Sequence, residues 1–365
     1  MKRIMHIVGN RPQFIKLAPL SRELQRRGYK DFILHTGQHY DVNMSDIFFE
    51  ELEIKKPTVN LQIGSGSHAE MTAKAMVGIE KTLLEYKPEF VILYGDTDTT
   101  LAAAIATSKL NIPFAHVEAG SRIGIKENPE EMNRIVTDHL STLLFCSDKE
   151  GVRSLEKEGI TNLVYYSGDI MYDTFLFAAS KEKSDIRKQY GLEEKNYVLM
   201  TWHRQENTSN KEKMKKIINF IKKISIDILY PMHPRTKNLL KNYDLYEEFV
   251  NIPNLKVIEP IGYFYMVDLA IHSKCIVTDS GGLSKESYFA GVPCYFMFDG
   301  KPWPDLESIG WIKHINFDDE SQIEQIIKNI SDVQENLINE QEFYGNGHTA
   351  EFIVDKIEKF FMREA

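Results

Sequence analysis

Phe90-Val91-Ile92-Leu93-Tyr94-Gly95-Asp96-Thr97 and, further along, Ile112-Pro113-Phe114-Ala115-His116-Val117-Glu118-Ala119-Gly120 decide the fold. Each is an apolar run of strand length that stops at a glycine and polar residues. Pro129-Glu130-Glu131-Met132-Asn133-Arg134 then opens a helix. Two strand ends and a helix start carry Asp96, Glu118, Glu130 and Arg134 towards one cleft, where open parallel sheets hold their ligands. Several acids beside an arginine are the makings of proton transfer. Taken singly, each acid can equally be a cap or the partner of a base.

Outward from this stretch the same alternation continues. A strand over residues 4–9 leads to a helix from Arg11 to Gly28 with Ile15, Leu17, Leu20 and Leu24 on its apolar side. Phe32-Ile33-Leu34-His35 is a second strand, the loop Gly64-Ser65-Gly66-Ser67-His68 precedes a helix over 69–85, and another helix runs through Thr100–Ala106. Leu143–Cys146 and Val164–Tyr166 complete a set of apolar strands alternating with helices, the pattern of an α/β domain with a parallel sheet covered on both faces.

With 365 residues the chain exceeds what one core normally supports, and the pattern restarts after the charged stretch Lys181–Asp185. Tyr197–Met200 ends at Thr201-Trp202-His203-Arg204, Ile226–Tyr230 at Pro231-Met232-His233-Pro234-Arg235, and Cys275–Val277 at Thr278-Asp279-Ser280-Gly281-Gly282. Val257–Glu259 and Val292–Met297 are further strands, and Ser321–Ala365 is largely helical with an interruption at Tyr344–Gly347. Two such domains would enclose a cleft.

A net charge of -9 without a basic stripe gives no support for nucleic-acid binding. Cys146, Cys275 and Cys294 are far apart and odd in number, so they read as reduced, buried residues. The short apolar start is a first strand and not a signal peptide, and no run is long enough to cross a bilayer; the expectation is a soluble cytoplasmic protein without a membrane partner. His35, His39, His68 and His116 are dispersed, which argues against a metal. Gly9-Asn10-Arg11-Pro12 is not the three-glycine fingerprint of a nicotinamide enzyme, and no cofactor is expected.

Several residues outside the opening stretch carry two readings each. Ser280, Gly281 and Gly282 can cradle a phosphate on backbone N–H groups, or simply cap a helix and turn the chain. Arg11 can clamp a diphosphate or pair on the surface, and Lys16 one turn later can be merely solvated. His203, and His233 with Arg235, can hold phosphate or sugar oxygens and move a proton, or be structural. Glu130 can be a first-turn acid favoured by the helix dipole, with Glu131 facing solvent for the same reason.

In combination, Gly9-Asn10-Arg11-Pro12-Gln13-Phe14-Ile15-Lys16, Thr36-Gly37-Gln38-His39, Tyr94-Gly95-Asp96-Thr97, His116–Gly120, Pro129–Arg134, His203-Arg204 and Asp279-Ser280-Gly281-Gly282 with Glu286 resemble the non-hydrolysing UDP-N-acetylglucosamine 2-epimerase family over nearly the whole chain. The resemblance implies an α/β fold of GT-B type: two Rossmann-like domains with parallel sheets facing an interdomain cleft, over residues 1–174 and 175–348, and a C-terminal helix over 349–365 crossing back towards the first. It implies a UDP-amino sugar substrate, a homodimer, and inversion at C2 through loss of the C2 proton, elimination of UDP to a 2-acetamidoglucal and re-addition. Carried over by position, Asp96, Glu118 and Glu130 are acid/base groups, and Arg134 and His203 are polar groups of the active site. By the same resemblance the Ser280-Gly281-Gly282 turn looks like the diphosphate cradle and Glu286 like the residue gripping the ribose, and Arg11 and Lys16 are placed to contact phosphate or help organise the cleft; His233, read from its own strand end, is a further substrate-binding candidate.

The chain departs from the family pattern at Phe298–Asp305, where Phe298 replaces an arginine and Pro302 a glutamate. Thr36–Asp41 and Ser167–Asp173 resemble the branch that includes UDP-2,3-diacetamido-2,3-dideoxyglucuronic acid 2-epimerases. UDP-GlcNAc to UDP-ManNAc, for surface polysaccharide synthesis, is the first expectation and the diacetamido uronic acid the second. A glycosyltransferase or a nucleotide-sugar sensor would share the architecture without the C2 chemistry.

Overall fold

The structure, a computed structural model, describes residues 2–37, 49, 51–125, 127–181, 186–298, 300, 303–332 and 343–364, with Arg11 and Glu364 described by backbone alone. The chain forms two compact units, Met1–Phe177 with Glu342–Ala365, and Ala178–Gln341. The charged stretch expected to join them lies almost wholly outside the described residues, at 182–185.

In chain order the first unit contains β1 (Arg3–Val8), α1 (Arg11–Arg26), β2 (Lys30–His35), β3 (Val59–Asn60), α2 (His68–Tyr86), β4 (Phe90–Tyr94), α3 (Asp98–Lys109), β5 (Phe114–Val117), α4 (Pro129–Leu140), β6 (Leu143–Cys146), α5 (Lys149–Lys157), β7 (Val164–Tyr166) and α6 (Ile170–Ser180), whose last turn passes into the second unit. The strands make one parallel sheet in the order β3-β2-β1-β4-β5-β6-β7. Every residue of β4 is buried, as a central strand covered on both faces requires. Small side chains Ala102, Ala103, Ala104 and Ala106 let α3 lie close to the sheet and α2. Gly9 is needed where β1 ends: a Cβ there would stand 2.1 Å from Thr99 Oγ1 and 2.7 Å from Thr36 Oγ1.

The second unit contains β8 (Tyr197–Thr201), α7 (Lys211–Lys223), β9 (Asp227–Pro231), α8 (Pro234–Asn242), β10 (Leu255–Ile258), α9 (Tyr263–His272), β11 (Cys275–Thr278), α10 (Gly281–Phe289), β12 (Cys294–Phe296), β13 (Ile312–His314) and α11 (Glu320–Ser331). Its sheet is again parallel, ordered β10-β9-β8-β11-β12-β13. Trp202, Tyr230 and Phe249 pack edge to face in a core completed by Met214, Ile217 and Ile221. The edge strand β13 was not expected from the sequence, because three residues with one buried side chain carry no periodicity.

After this the chain returns to the first unit as α12 (Thr349–Glu364). Asp173 on α6 accepts hydrogen bonds from Thr349 N (3.1 Å) and Ala350 N (2.8 Å), capping the helix from outside its own sequence. At the other end Arg27 pairs with Asp355 (2.6 Å) and Glu358 (2.8 Å), holding α12 against α1.

In both sheets the strand order reverses once, between β1 and β4 and between β8 and β11. The two connections leaving such a pair run to opposite sides and open a crevice beyond the carboxyl ends of the strands. The residues at those four ends are Gly9-Asn10, Gly95-Asp96, Trp202-His203-Arg204 and Asp279-Ser280. No described helix is long and apolar enough to cross a membrane.

Candidate active site

At the crevice of the first unit one side chain ties the two strand ends together. Gln13, buried on the first turn of α1, accepts from Gly9 N (2.7 Å) and donates to the Tyr94 carbonyl (2.6 Å) and Thr100 Oγ1 (3.0 Å). It is also the return half of a capping box with Asn10, which fixes where α1 starts. Gly95 follows in the left-handed region (φ 60°) and lets the chain turn so that Asp96 leaves the sheet and Thr97 caps α3.

Asp96 pairs through Oδ2 with Arg134, and its carbonyl accepts from Asn133 Nδ2 at 2.9 Å. Arg134 reaches on to Glu131 at 3.1 Å. Glu118, at the end of β5, pairs with Lys16 of α1. A Cβ built on Gly95 would stand 3.4 Å from both Glu118 Oε2 and Lys16 Nζ, so this pair lies beside the residue preceding Asp96. The structure thus brings Asp96, Glu118, Lys16 and Arg134 together, each acid with a cation against it. All four keep part of the side chain exposed, from 11% for Lys16 to 31% for Asp96, so the cluster is open to a ligand.

Two of the readings left open are decided here. Lys16 is not merely solvated: the α1 backbone points it at Glu118, 102 positions away in sequence. Glu131 does not face solvent: it is buried, accepts from Ile123 N and Gly124 N at 3.0 Å each, and holds Arg134. Its neighbour Glu130 is exposed on the first turn of α4, where Asn128 rather than an acid caps the helix. Among the described residues its carboxylate makes no hydrogen bond or ion pair. The side chain of Arg11 lies outside the described residues, as does His39.

At the crevice of the second unit the tie is Asp279, fully buried beyond β11. It accepts from His203 N (3.0 Å), Arg204 N (2.8 Å) and Asn207 Nδ2 (3.1 Å), and lies 3.3 Å from His203 Nδ1. His203 is therefore held by a carboxylate. Its ring stacks on His233, 5.3 Å between centroids, and His233 caps α8 by accepting from Arg235 N at 3.2 Å. Ser280 caps α10, accepting from Leu283 N at 3.4 Å. The nearest atom that a Cβ on Gly281 would meet is Arg204 Nη2 at 3.4 Å, and on Gly282 the capping Ser280 Oγ at 3.9 Å, so the start of α10 presents bare backbone N–H groups. Glu286, one turn on, accepts from the Tyr263 hydroxyl at 2.8 Å.

The divergent segment packs against this same helix. The Arg204 guanidinium lies over the Phe298 ring at 4.2 Å, and Lys285 over Trp303 at 4.0 Å. Trp303 Nε1 also donates to Ser284 Oγ at 3.0 Å. Asp299, Lys301 and Pro302 are outside the described residues. Gln13, Asn133 and the tying role of Asp279 were not picked out from the sequence; the Asn10/Gln13 spacing of a capping box was the one available signal.

The model of the UDP-N-acetylglucosamine 2-epimerase family matches residues 22–358. The chain belongs to that family. It is 46% identical over 332 residues to a UDP-N-acetylglucosamine 2-epimerase homolog of Methanococcus maripaludis, covering 90% of this chain and 92% of the relative. It is 40% identical over 316 residues to the UDP-2,3-diacetamido-2,3-dideoxy-D-glucuronate 2-epimerase of Pseudomonas aeruginosa, covering 84% and 86%. Among solved structures, that of Methanocaldococcus jannaschii UDP-GlcNAc 2-epimerase in complex with UDP-GlcNAc and UDP superposes with a TM-score of 0.86 at 37% identity, over 98% of this chain and 100% of the other. The fold is the GT-B type that the epimerase family has, with one parallel sheet in each unit.

Proposed function

We propose that this epimerase-family protein interconverts C2 epimers of a UDP-N-acetylamino sugar, with UDP-GlcNAc and UDP-ManNAc as its first pair. The observation that carries this reading is the acid cluster at the first crevice, where Glu118 lies beside Gly95, the residue before Asp96, with Lys16 against Glu118 and Arg134 against Asp96. The C2 hydrogen of such a sugar has no carbonyl beside its carbon, so it leaves as a proton only if a leaving group at C1 departs with its electron pair. A carboxylate takes the proton, the C–H electrons become the C1–C2 double bond, and the C1–O electrons go to UDP. Protonation of the 2-acetamidoglucal on the opposite face, with return of UDP to C1, gives the epimer.

In this scheme the first unit supplies the proton-moving groups, Asp96, Glu118 and Glu130, with Arg134 and Lys16 setting their surroundings. The second unit supplies the grip on UDP: the N–H groups of Gly281 and Gly282 and the Ser280 hydroxyl for the diphosphate, Glu286 for the ribose, and His203 and His233 near them. Charge developing on the departing diphosphate is favoured at a helix N-terminus. Arg11 belongs to the same proposed grip. The proposed protein is a cytoplasmic homodimer without a cofactor that serves surface polysaccharide synthesis, and the proposed domain limits remain 1–174, 175–348 and 349–365.

The similarity to the Pseudomonas aeruginosa enzyme supports a second reading, 2-epimerisation of UDP-2,3-diacetamido-2,3-dideoxyglucuronic acid. The two substrates differ in an acetamido group at C3 and a carboxylate at C6, and the segment around Phe298 and Trp303 is where this chain has its own side chains. Supplying each UDP-sugar separately and following proton NMR decides between them. A second UDP-sugar spectrum from UDP-GlcNAc supports the first reading, and turnover of the diacetamido uronic acid alone supports the second. Lasting release of UDP with free ManNAc, or turnover of neither, would overturn both.

A further inference from the structure

Beneath the acid cluster lies a buried group that the scheme above does not use. His116 and Asp138 are each 1% exposed or less, on β5 and α4. The His116 ring stands between two acceptors, Asp138 Oδ1 at 2.6 Å from Nδ1 and the Gly95 carbonyl at 2.7 Å from Nε2. A carbonyl oxygen can only accept, so Nε2 donates to Gly95. The second oxygen of Asp138 accepts from Gly120 N at 3.1 Å and from Arg122 at 2.7 Å. Burial pushes the Asp138 carboxyl up, but His116 and Arg122 outweigh it and the group is held below its ordinary value, so Nδ1 too faces a carboxylate acceptor.

The contacts of this pair end on the residue before one acid and on the turn after the other. Gly95 precedes Asp96, and Gly120 follows Glu118 by two. Glu118 has φ 73°, a left-handed backbone that a residue with a Cβ keeps only where its surroundings hold it. Its own N–H and that of Ala119 both donate to the Phe145 carbonyl at 3.0 Å, and Asp138 fixes the next link at Gly120. A buried carboxylate is a poor way to gain stability, because its desolvation offsets the attraction of its partners. Its use here is geometric.

We propose that His116 and Asp138 are positioning residues that hold the strand ends bearing Asp96 and Glu118 at the separation C2 proton transfer needs. This rests on the reading of Asp96 and Glu118 as the acids of the epimerase. Neither residue touches the substrate. The other charged groups around the pair are Arg122, itself held by Glu158 at 2.7 Å, and Asp148 near the buried Cys146 thiol.

The test compares Asp138→Ala with the wild type in deuterated water, using UDP-GlcNAc or whichever of the two UDP-sugars the wild type turns over. Alanine accepts from none of His116, Arg122 and Gly120, so kcat for C2 exchange should fall on the order of 100-fold, the scale of a misplacement near 1 Å. KM should stay within about threefold, because UDP binding lies elsewhere. Rates are taken per UDP-binding protein, which removes any loss of folded material. If Asp138→Ala melts below the assay temperature, His116→Gln is read the same way. A folded variant with kcat within about twofold of wild type, or with KM alone raised, overturns the positioning role. Wild type that exchanges neither sugar overturns the activity and the role together.

Discussion

The two crevices are built alike and filled differently. Each lies where a parallel sheet reverses its strand order, and each has one buried side chain tying the paired strand ends: Gln13 in the first unit, Asp279 in the second. Beyond that tie the first gathers carboxylates with a cation against each, and the second gathers histidines, an arginine and the open start of a helix. The neutral tie of the first crevice adds no negative charge of its own beside the acids. The carboxylate tie of the second orients His203 and Arg204 beside a site suited to anions. Under the proposed function the first crevice carries the proton transfer and the second the grip on the leaving group.

Removing an acid should break that division most sharply. Glu118→Gln and Asp96→Asn should each lower C2 deuterium exchange by about 100- to 10,000-fold, the range for a lost general acid or base. UDP binding by calorimetry should change by no more than about threefold, since an uncharged substitute leaves the second crevice intact. A loss of UDP affinity matching the loss of exchange would show that the units do not divide the work.

Asp279→Asn is the counterpart on the other side. It removes one acceptor from a buried set of three donors, at a cost of about 1–3 kcal/mol. UDP affinity should drop by roughly tenfold or more, at about 1.4 kcal/mol per decade. Unchanged affinity in a folded variant would make the tie a scaffold with no bearing on the nucleotide.

Gly9→Ala tests the crowding that shapes the first crevice. With Thr99 Oγ1 2.1 Å from the added carbon, the variant should lose about 1–3 kcal/mol of stability by chemical denaturation. The effect of acid should be smaller still. Asp31 is buried, which raises its carboxyl, but His6 at 3.0 Å with Ser21 and Gln25 brings it below its ordinary value of 3.8. A carboxyl lowered on folding adds stability above its unfolded value, and that stability is lost as pH falls through the folded value. Asp31→Asn should therefore be less stable than wild type at pH 7, with the gap closing below about pH 4. A gap constant down to acid pH would contradict the ionic role.

How much of this was legible in the sequence depends on how far each contact reaches. Strands such as Phe90–Tyr94 announce themselves by continuous apolar character, and the motifs at their ends fall on the strand ends beside the order reversals. The choice between Glu130 and Glu131 was not legible, because helix periodicity places both on the first turn without saying which one the 121–125 loop will cover. Lys16 and Glu118 meet across 102 residues, a pairing no local pattern encodes. The ties at Gln13 and Asp279 run from side chains to main-chain groups, which sequence spacing does not record.

The central claim is that the acids at the first crevice move a carbon-bound proton at C2. Its most direct test is to incubate the wild-type protein with the UDP-sugar it accepts in deuterated water and read C2 by proton NMR. The account predicts that the epimer formed carries deuterium at C2 from the start and that recovered substrate acquires it as the reaction reverses. An epimer that keeps its original C2 hydrogen would contradict it.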